Sequence, residues 1–125
     1  MIRKAFKMKV YDESHNEYKK RHDEIWTSLV EVLKDHGSHN YSIFLDEKSS
    51  DLFAYVEIEN QELWDKVAET EECKKWWNFM KDIMETNPDN SPSSVELKEV
   101  FYLKCSRIFL YKLRKRNKIL IVIIL

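Results

Sequence analysis

The order in which hydrophobic periodicity changes along the chain constrains the fold more than any other feature. Apolar residues alternate over the first ten positions and then follow steps of three and four through residues 13–36. Alternation returns in 40–46 and 52–58, a second helical pattern covers 60–84, and a last alternating stretch covers 96–104. Period two is typical of a strand and the longer period of an amphipathic helix. The sequence therefore predicts strand, helix, strand, strand, helix, strand.

This order is the split βαβ arrangement of a ferredoxin-like α+β fold. Its sheet carries helices on one face only, so the other face needs a cover that the chain does not provide. Two subunits that pair their sheets would supply that cover, and we therefore expect a homodimer. A chain of 125 residues is long enough for one such domain and too short for two.

Local signals mark where the predicted elements end. Gly37 is the single glycine of the chain and stands where a left-handed residue ends the first helix. Thr70 and the two glutamates after it predict a fresh start within the second helical pattern. The polar segment 47–51 predicts a hairpin between the middle strands. The chain's two prolines predict a loop over 87–94, "NPDNSPSS".

Charge divides the chain unevenly. Residues 1–103 hold 14 basic and 22 acidic residues, a formal charge of -8, whereas 104–125 hold seven basic residues and no acid, a charge of +7. An acidic body argues against nucleic acid as a partner, because phosphate binding needs a basic face. We therefore expect one folded domain at 1–104 and a separate basic, apolar extension at 105–125.

Three interpretations of the extension compete: a membrane-surface anchor, an added strand or helix, or a segment with no selected role. Its final apolar run, "ILIVIIL", is seven residues long. A helix that crosses a bilayer needs about 20 apolar residues. We therefore expect no membrane partner, and the unbalanced composition favours the third interpretation.

Several kinds of chemistry are missing from the sequence. Cys73 and Cys105 fit no metal or disulfide framework by spacing, so we expect free thiols and, with no apolar signal near the start, a cytoplasmic location. No histidine pair has the spacing of metal ligands, so no metal is expected. One glycine cannot build a phosphate-cradling loop, so we expect no nucleotide cofactor.

The first helix carries the strongest candidate for chemistry. Tyr18 and His22 lie four positions apart on its core-facing stripe, so their side chains are neighbours. A core histidine with its hydrogen bonds satisfied is one interpretation; a general acid or base beside a phenol is the other. Arg21 lies off the stripe, and we expect it to be solvated.

Trp76 and Trp77 are adjacent, so they point about 100° apart on a helix. Trp76 continues a packing stripe with Phe79, Met80 and Ile83, which leaves Trp77 on its flank. Spacing alone favours packing for Trp76 and makes a sugar-binding platform the minority interpretation. Tyr41 alternates with Ile43 and Leu45 and so shares their face, where it packs or presents its hydroxyl to a cavity.

Ordered blocks through residues 1–103 make the chain similar to the L-rhamnose mutarotase family of sugar 1-epimerases. They are "MIRKAF", "EYKKRHDEIW", "HGSHNYSIFLD", the tryptophan pair, and "NPDNSP" followed by "LKEVFYL". The resemblance implies a cytoplasmic, cofactor-free homodimer with a dimeric α/β barrel. It also implies that His22 is the proton donor and that four aromatic residues contact the sugar: Tyr18, Tyr41, Trp76 and Trp77.

The function that the resemblance implies is interconversion of the α and β anomers of L-rhamnose. A proton must reach the ring oxygen while another leaves the anomeric hydroxyl, so that the ring opens and closes on the other face. Two alternatives share the architecture: a non-catalytic ligand-binding barrel and a cofactor-independent oxygenase or haem-degrading enzyme.

Overall fold

The computed structural model describes residues 1–105, 107–109 and 122–124 of the chain. Its strands and α-helices are, in chain order, β1 (Ile2–Lys9), α1 (His15–Asp23), α2 (Thr27–Asp35), β2 (Ser38–Asp46), β3 (Asp51–Ile58), α3 (Gln61–Asp65), α4 (Glu71–Met80), β4 (Val95–Leu97), β5 (Arg107–Phe109) and β6 (Val122–Ile124). Two short 3-10 helices, Asp12–Ser14 and Lys66–Glu69, precede α1 and α4.

The main sheet has the order β2-β3-β1-β4, and all its neighbouring strands are antiparallel. The expected ferredoxin-like arrangement is thereby confirmed. Leu52, Ala54, Val56 and Ile58 alternate along β3 on the face that the helices cover, and each is almost completely buried. The intervening residues of β3 lie on the opposite face, where they are half-buried or exposed.

The prediction of a single helix over residues 13–36 is wrong, because the structure holds two helices in this range. α1 ends at Asp23, and Trp26 has an extended backbone with φ -64° and ψ 132° before α2 begins. No glycine or proline marks this break. It lets the Trp26 ring pack edge-on against Trp76, with centroids 5.1 Å apart, and beside Phe79 at 5.4 Å.

Two predicted boundaries are confirmed. Gly37 has a φ of +79° directly after α2, and a Cβ at this position would lie 3.1 Å from the Cβ of Glu59. Thr70 caps α4 by accepting a hydrogen bond from the Cys73 amide at Oγ1. Position 37 therefore requires glycine, both for its backbone conformation and for the space beside Glu59. Position 70 requires a side-chain hydroxyl that can cap the helix.

The last predicted strand, residues 96–104, is much shorter in the structure. β4 covers only Val95–Leu97 and pairs with β1. Beyond it, Arg3 forms an ion pair with Glu99, and its guanidinium lies 3.3 Å from the centroid of the Tyr102 ring. The apolar side chains of this segment have no sheet to pack on within one chain, and residues 100–103 are exposed.

The proposed extension lies mostly outside the described residues. Its described parts are Cys105 and the strands β5 and β6, whose backbones pair with each other in an antiparallel register. Within the described residues, no helix combines the length and apolarity that crossing a membrane requires.

Candidate functional site

A cavity of about 1050 Å³ lies between the helices and the covered face of the sheet. All five residues singled out by the sequence line it: Tyr18, His22, Tyr41, Trp76 and Trp77. They come from three elements, because α1 supplies the first two, β2 supplies Tyr41 and α4 supplies the tryptophans. The fold therefore gathers residues that are up to 59 positions apart around one space.

His22 is held in a defined orientation at the wall of this cavity. Its Nδ1 lies 3.0 Å from the backbone oxygen of Tyr18, which can only accept a hydrogen bond. Nδ1 therefore carries a proton, and Nε2 is the nitrogen available to exchange one. The imidazole stacks on the Tyr18 ring at 4.3 Å and meets the Trp76 ring edge-on at 5.3 Å.

Burial lowers the pKa of His22 below its ordinary value of 6.5. The hydrogen bond to the Tyr18 carbonyl and the nearby Asp23 carboxylate oppose this shift but do not cancel it. The imidazole is therefore neutral at neutral pH, with an unprotonated Nε2. Such a group accepts a proton first and is a strong acid once charged.

The two tyrosines present protonated hydroxyls to the cavity. Burial is the main cause that raises the pKa of Tyr18 strongly above its ordinary value, and the nearby Tyr41 adds to it. Tyr41 keeps 38% of its surface exposed, yet burial raises the pKa of its hydroxyl equally strongly. Neither phenol serves as a base near neutral pH, but both can donate and accept hydrogen bonds.

The two tryptophans have different environments. Trp76 is buried, with its ring between His22 and Trp26. Trp77 is half-buried and lines the same cavity from the flank of α4. Trp76 thus holds the histidine in place, and Trp77 offers more of its surface to a bound molecule.

Arg21 is not solvated, contrary to the expectation from its place off the stripe. Its guanidinium donates to both carboxylate oxygens of Asp82, at 2.8 and 3.2 Å, and to the backbone oxygen of Phe79 at 2.6 Å. It also donates to Glu17 and lies over the Phe79 ring. The flank of α1 is covered because it packs beside the end of α4. Arg21 therefore joins the helix that carries His22 to the helix that carries Trp76.

Sequence reasoning missed part of the cavity wall. Trp64 lines the cavity with its ring 6.2 Å from Tyr41. The loop at 87–94 adds polar lining residues, namely Asn87, Asn90, Ser91 and Ser94. Loop composition predicts exposure but not direction, so no sequence signal placed these side chains at the cavity.

A second polar cluster, beside the cavity, does not have the geometry of an activated serine. The Ser50 hydroxyl donates to Oδ1 of Asp12 at 2.6 Å, so its oxygen accepts from Nε2 of His15 at 2.7 Å. A nucleophilic serine would instead donate to its histidine. Burial raises the pKa of the Cys73 thiol to about 11, which keeps it protonated and unreactive. These groups stabilise the hairpin and the core.

Groups that would bind a metal do not converge at the cavity. Among the residues described by the structure, no three histidine, cysteine, aspartate or glutamate side chains are arranged as metal ligands. The cavity wall combines aromatic faces, hydroxyls, amides and the imidazoles of His15, His22 and His39. Aromatic faces and hydrogen-bonding groups suit a small polyhydroxylated molecule with apolar C–H faces.

Comparison with known proteins gives a consistent result. A family model described as L-rhamnose mutarotase matches residues 3–103. An L-rhamnose mutarotase from Clostridium beijerinckii is 64% identical over 104 residues, which are 83% of this chain and 100% of the relative. The crystal structure of an L-rhamnose mutarotase from Formosa agariphila has a TM-score of 0.77 and 47% identity, and covers 83% of this chain and 100% of that one.

A more distant structure shows the fold alone. It is a dimeric ferredoxin-like protein from an uncultured marine organism, with a TM-score of 0.51 and 14% identity, and it covers 81% of this chain and 96% of its own. The family match and the similar mutarotases favour the sugar isomerase over the non-catalytic alternative.

Proposed function

Because the chain belongs to the L-rhamnose mutarotase family, we propose that it interconverts the α and β anomers of L-rhamnose in the described cavity. The observation that carries the proposal is the orientation of His22. Its Nδ1 is occupied by the Tyr18 carbonyl, which leaves Nε2 for a substrate, and the imidazole stands between a phenol and an indole.

The proton path follows from the protonation state of His22. The neutral Nε2 takes the proton from the anomeric hydroxyl, and the imidazolium then donates it to the ring oxygen. The bond between the anomeric carbon and the ring oxygen breaks, which leaves an aldehyde and a new hydroxyl. Both oxygens are bonded to the same carbon, so one imidazole reaches each of them. Rotation of the aldehyde and reversal of the steps give the other anomer, with no net change in protons.

The aromatic residues bind and orient the sugar in this proposal. Trp76 and Trp77 provide apolar surface for the ring carbons and for the methyl group of a 6-deoxy sugar. Tyr18 and Tyr41 hold hydroxyls by hydrogen bonds that their neutral phenols make in either direction. Opening the ring in a site lined by such groups requires no redox step.

Saturation-transfer NMR between the two anomers tests the proposed function. We expect the protein to speed the exchange of L-rhamnose well above the rate in buffer, with L-fucose and D-ribose as comparison sugars. An exchange rate for L-rhamnose equal to that in buffer would contradict the proposal and favour the non-catalytic alternative.

We also propose that the chain forms a homodimer through the uncovered face of the sheet. The cross-strand register places Phe44, Phe53, Lys7 and Val95 in one row on that face. Phe44 and Val95 are 66% and 58% exposed, and the exposed apolar segment 100–103 follows β4. Apolar patches of this kind mark interfaces between proteins, and a second copy of the sheet would cover this one.

The domain boundary is part of the same proposal, with residues 1–104 as the mutarotase domain and 105–125 as an extension that catalysis does not need. The family match ends at residue 103. We further propose a cytoplasmic location, which the free thiols of Cys73 and Cys105 support because a reducing compartment preserves them.

A chain that ends at Lys104 tests the dimer and the extension together. We expect light scattering to give the mass of two chains, and we expect the exchange rate per chain to match that of the full-length protein.

Phe53→Glu in the same truncated chain is expected to give the mass of one chain, because the substitution would bury a charge in the interface. A single-chain mass before that substitution would exclude the dimer, and lost activity would make the extension part of the enzyme.

A further inference from the structure

The ladder between β2 and β3 is interrupted directly beside Tyr41. His39 pairs with Glu57 and Ser42 pairs with Tyr55, so Asn40 and Tyr41 stand together opposite a single residue of β3. This is a β-bulge, a feature that redirects side chains and occurs often beside active sites. The bulge therefore lies where the direction of a proposed sugar contact is set.

Asn40 has the backbone conformation that this bulge requires. Its φ of 48° is in the left-handed region, which most residues with a Cβ avoid and which asparagine tolerates better than others. A residue without that tolerance would favour a regular ladder at this position, and the register of the preceding residues would then shift by one.

The side chain of Asn40 fixes the bulge to the neighbouring strand. Its Nδ2 donates to Oε2 of Glu57 at 2.9 Å, while the other carboxylate oxygen of Glu57 accepts from the Tyr55 hydroxyl at 3.0 Å. The bond from Asn40 is the main cause that lowers the pKa of Glu57, so this carboxylate is charged and strongly accepting.

We propose that Asn40 is a positioning residue: its left-handed backbone and its bond to Glu57 hold the bulge that directs Tyr41 into the cavity. The ring of Tyr41 then meets Trp64 and Phe6, at centroid distances of 6.2 and 6.3 Å. The consequence for catalysis rests on the proposed sugar contact by Tyr41. In that proposal Tyr41 binds the sugar and does not transfer the proton. Loss of Asn40 therefore affects affinity more than turnover.

Kinetics of anomer exchange at several L-rhamnose concentrations give the first test. We expect Asn40→Ala to raise KM about tenfold and to change kcat by less than about twofold, because alanine disfavours the left-handed conformation. Asn40→Gly adopts that conformation freely, and we expect it to recover most of the lost affinity. Equal losses in the alanine and glycine variants, or a loss confined to kcat, would overturn the proposal.

A second readout does not depend on sugar binding. Fluorine NMR of protein labelled with 3-fluorotyrosine reports each tyrosine ring, and Tyr41→Phe identifies the resonance of Tyr41 by its loss. We expect Asn40→Ala to move that resonance and Asn40→Gly to leave it near its original position. Glu57→Gln weakens the hydrogen bond from Asn40 without changing the backbone of residue 40, and we expect it to shift the Tyr41 resonance less. This variant replaces Asn40→Ala in the test if Asn40→Ala does not fold. An unmoved Tyr41 resonance in the folded variants would overturn the inference.

The two experiments separate this inference from the proposed function. An unchanged KM in Tyr41→Phe would remove Tyr41 from sugar binding, while the fluorine spectra would still decide whether Asn40 positions its ring. An increased KM in Tyr41→Phe together with an unchanged KM in Asn40→Ala would retain the sugar contact and reject the role of Asn40.

Discussion

Replacing His22 by glutamine is expected to slow the exchange of L-rhamnose anomers by about 10²- to 10⁴-fold, the usual contribution of a general acid and base. Glutamine keeps a polar side chain against the Tyr18 carbonyl but has no nitrogen that gains and loses a proton. Saturation-transfer NMR at one protein concentration measures the change directly.

His36→Gln is the matched control for this substitution. The Nδ1 of His36 donates to the backbone oxygen of Val32 at 2.7 Å, which repeats the local bond of His22 one helix later, and His36 does not line the cavity. We expect His36→Gln to leave the exchange rate unchanged. Equal losses in both variants would show that the histidine bond to its own helix, rather than proton transfer, accounts for the effect.

The pH dependence of the unsubstituted protein tests which form of His22 begins the reaction. Because burial lowers the pKa of His22, the neutral form predominates at pH 7 and is lost only as pH falls below 6.5 and through the shifted value. The exchange rate should therefore be flat near neutrality and decrease on the acid side. A rate that rises on acidification would identify the imidazolium as the starting form.

Trp76→Ala is expected to cause the largest loss of stability among the cavity residues, about 3–5 kcal/mol in the free energy of unfolding. Trp76 is 8% exposed and its ring contacts His22, Trp26 and Phe79, so removal of the ring leaves a cavity in the middle of the aromatic cluster. Urea denaturation measures the change, provided that the slope with denaturant stays constant.

Trp77→Ala is the comparison, because the neighbouring indole is only half-buried. We expect it to cost about 1–2 kcal/mol of stability, while it raises KM for L-rhamnose more than Trp76→Phe does. Equal destabilisation by the two alanine substitutions would contradict the division into a ring that holds His22 and a ring that faces the sugar.

The parts of the site that depend on local spacing were predictable from the sequence. Tyr18 and His22 are one turn apart, and their stacking follows from helix geometry alone. Tyr41 shares the cavity with Ile43 and Leu45, the face on which strand alternation places it, although the ladder to β3 is irregular at Tyr41 itself. The order of elements fixed the sheet topology because so few arrangements connect strands and helices in this order.

The parts that depend on distant partners were not predictable. The break between α1 and α2 exists because Trp26 packs against Trp76, 50 positions away, and no local signal marks it. Arg21 is covered because the end of α4 lies beside it, and the bulge at Asn40 exists only relative to the register of β3. Periodicity describes one element at a time, whereas these features are relations between elements.

A crystal structure of the protein with L-rhamnose tests the central claim most directly. We predict that the sugar lies in the described cavity, with its anomeric or ring oxygen within about 3.5 Å of Nε2 of His22 and a face of its ring on a tryptophan. A sugar bound elsewhere, or one whose anomeric carbon points away from His22, would contradict the proposed mechanism.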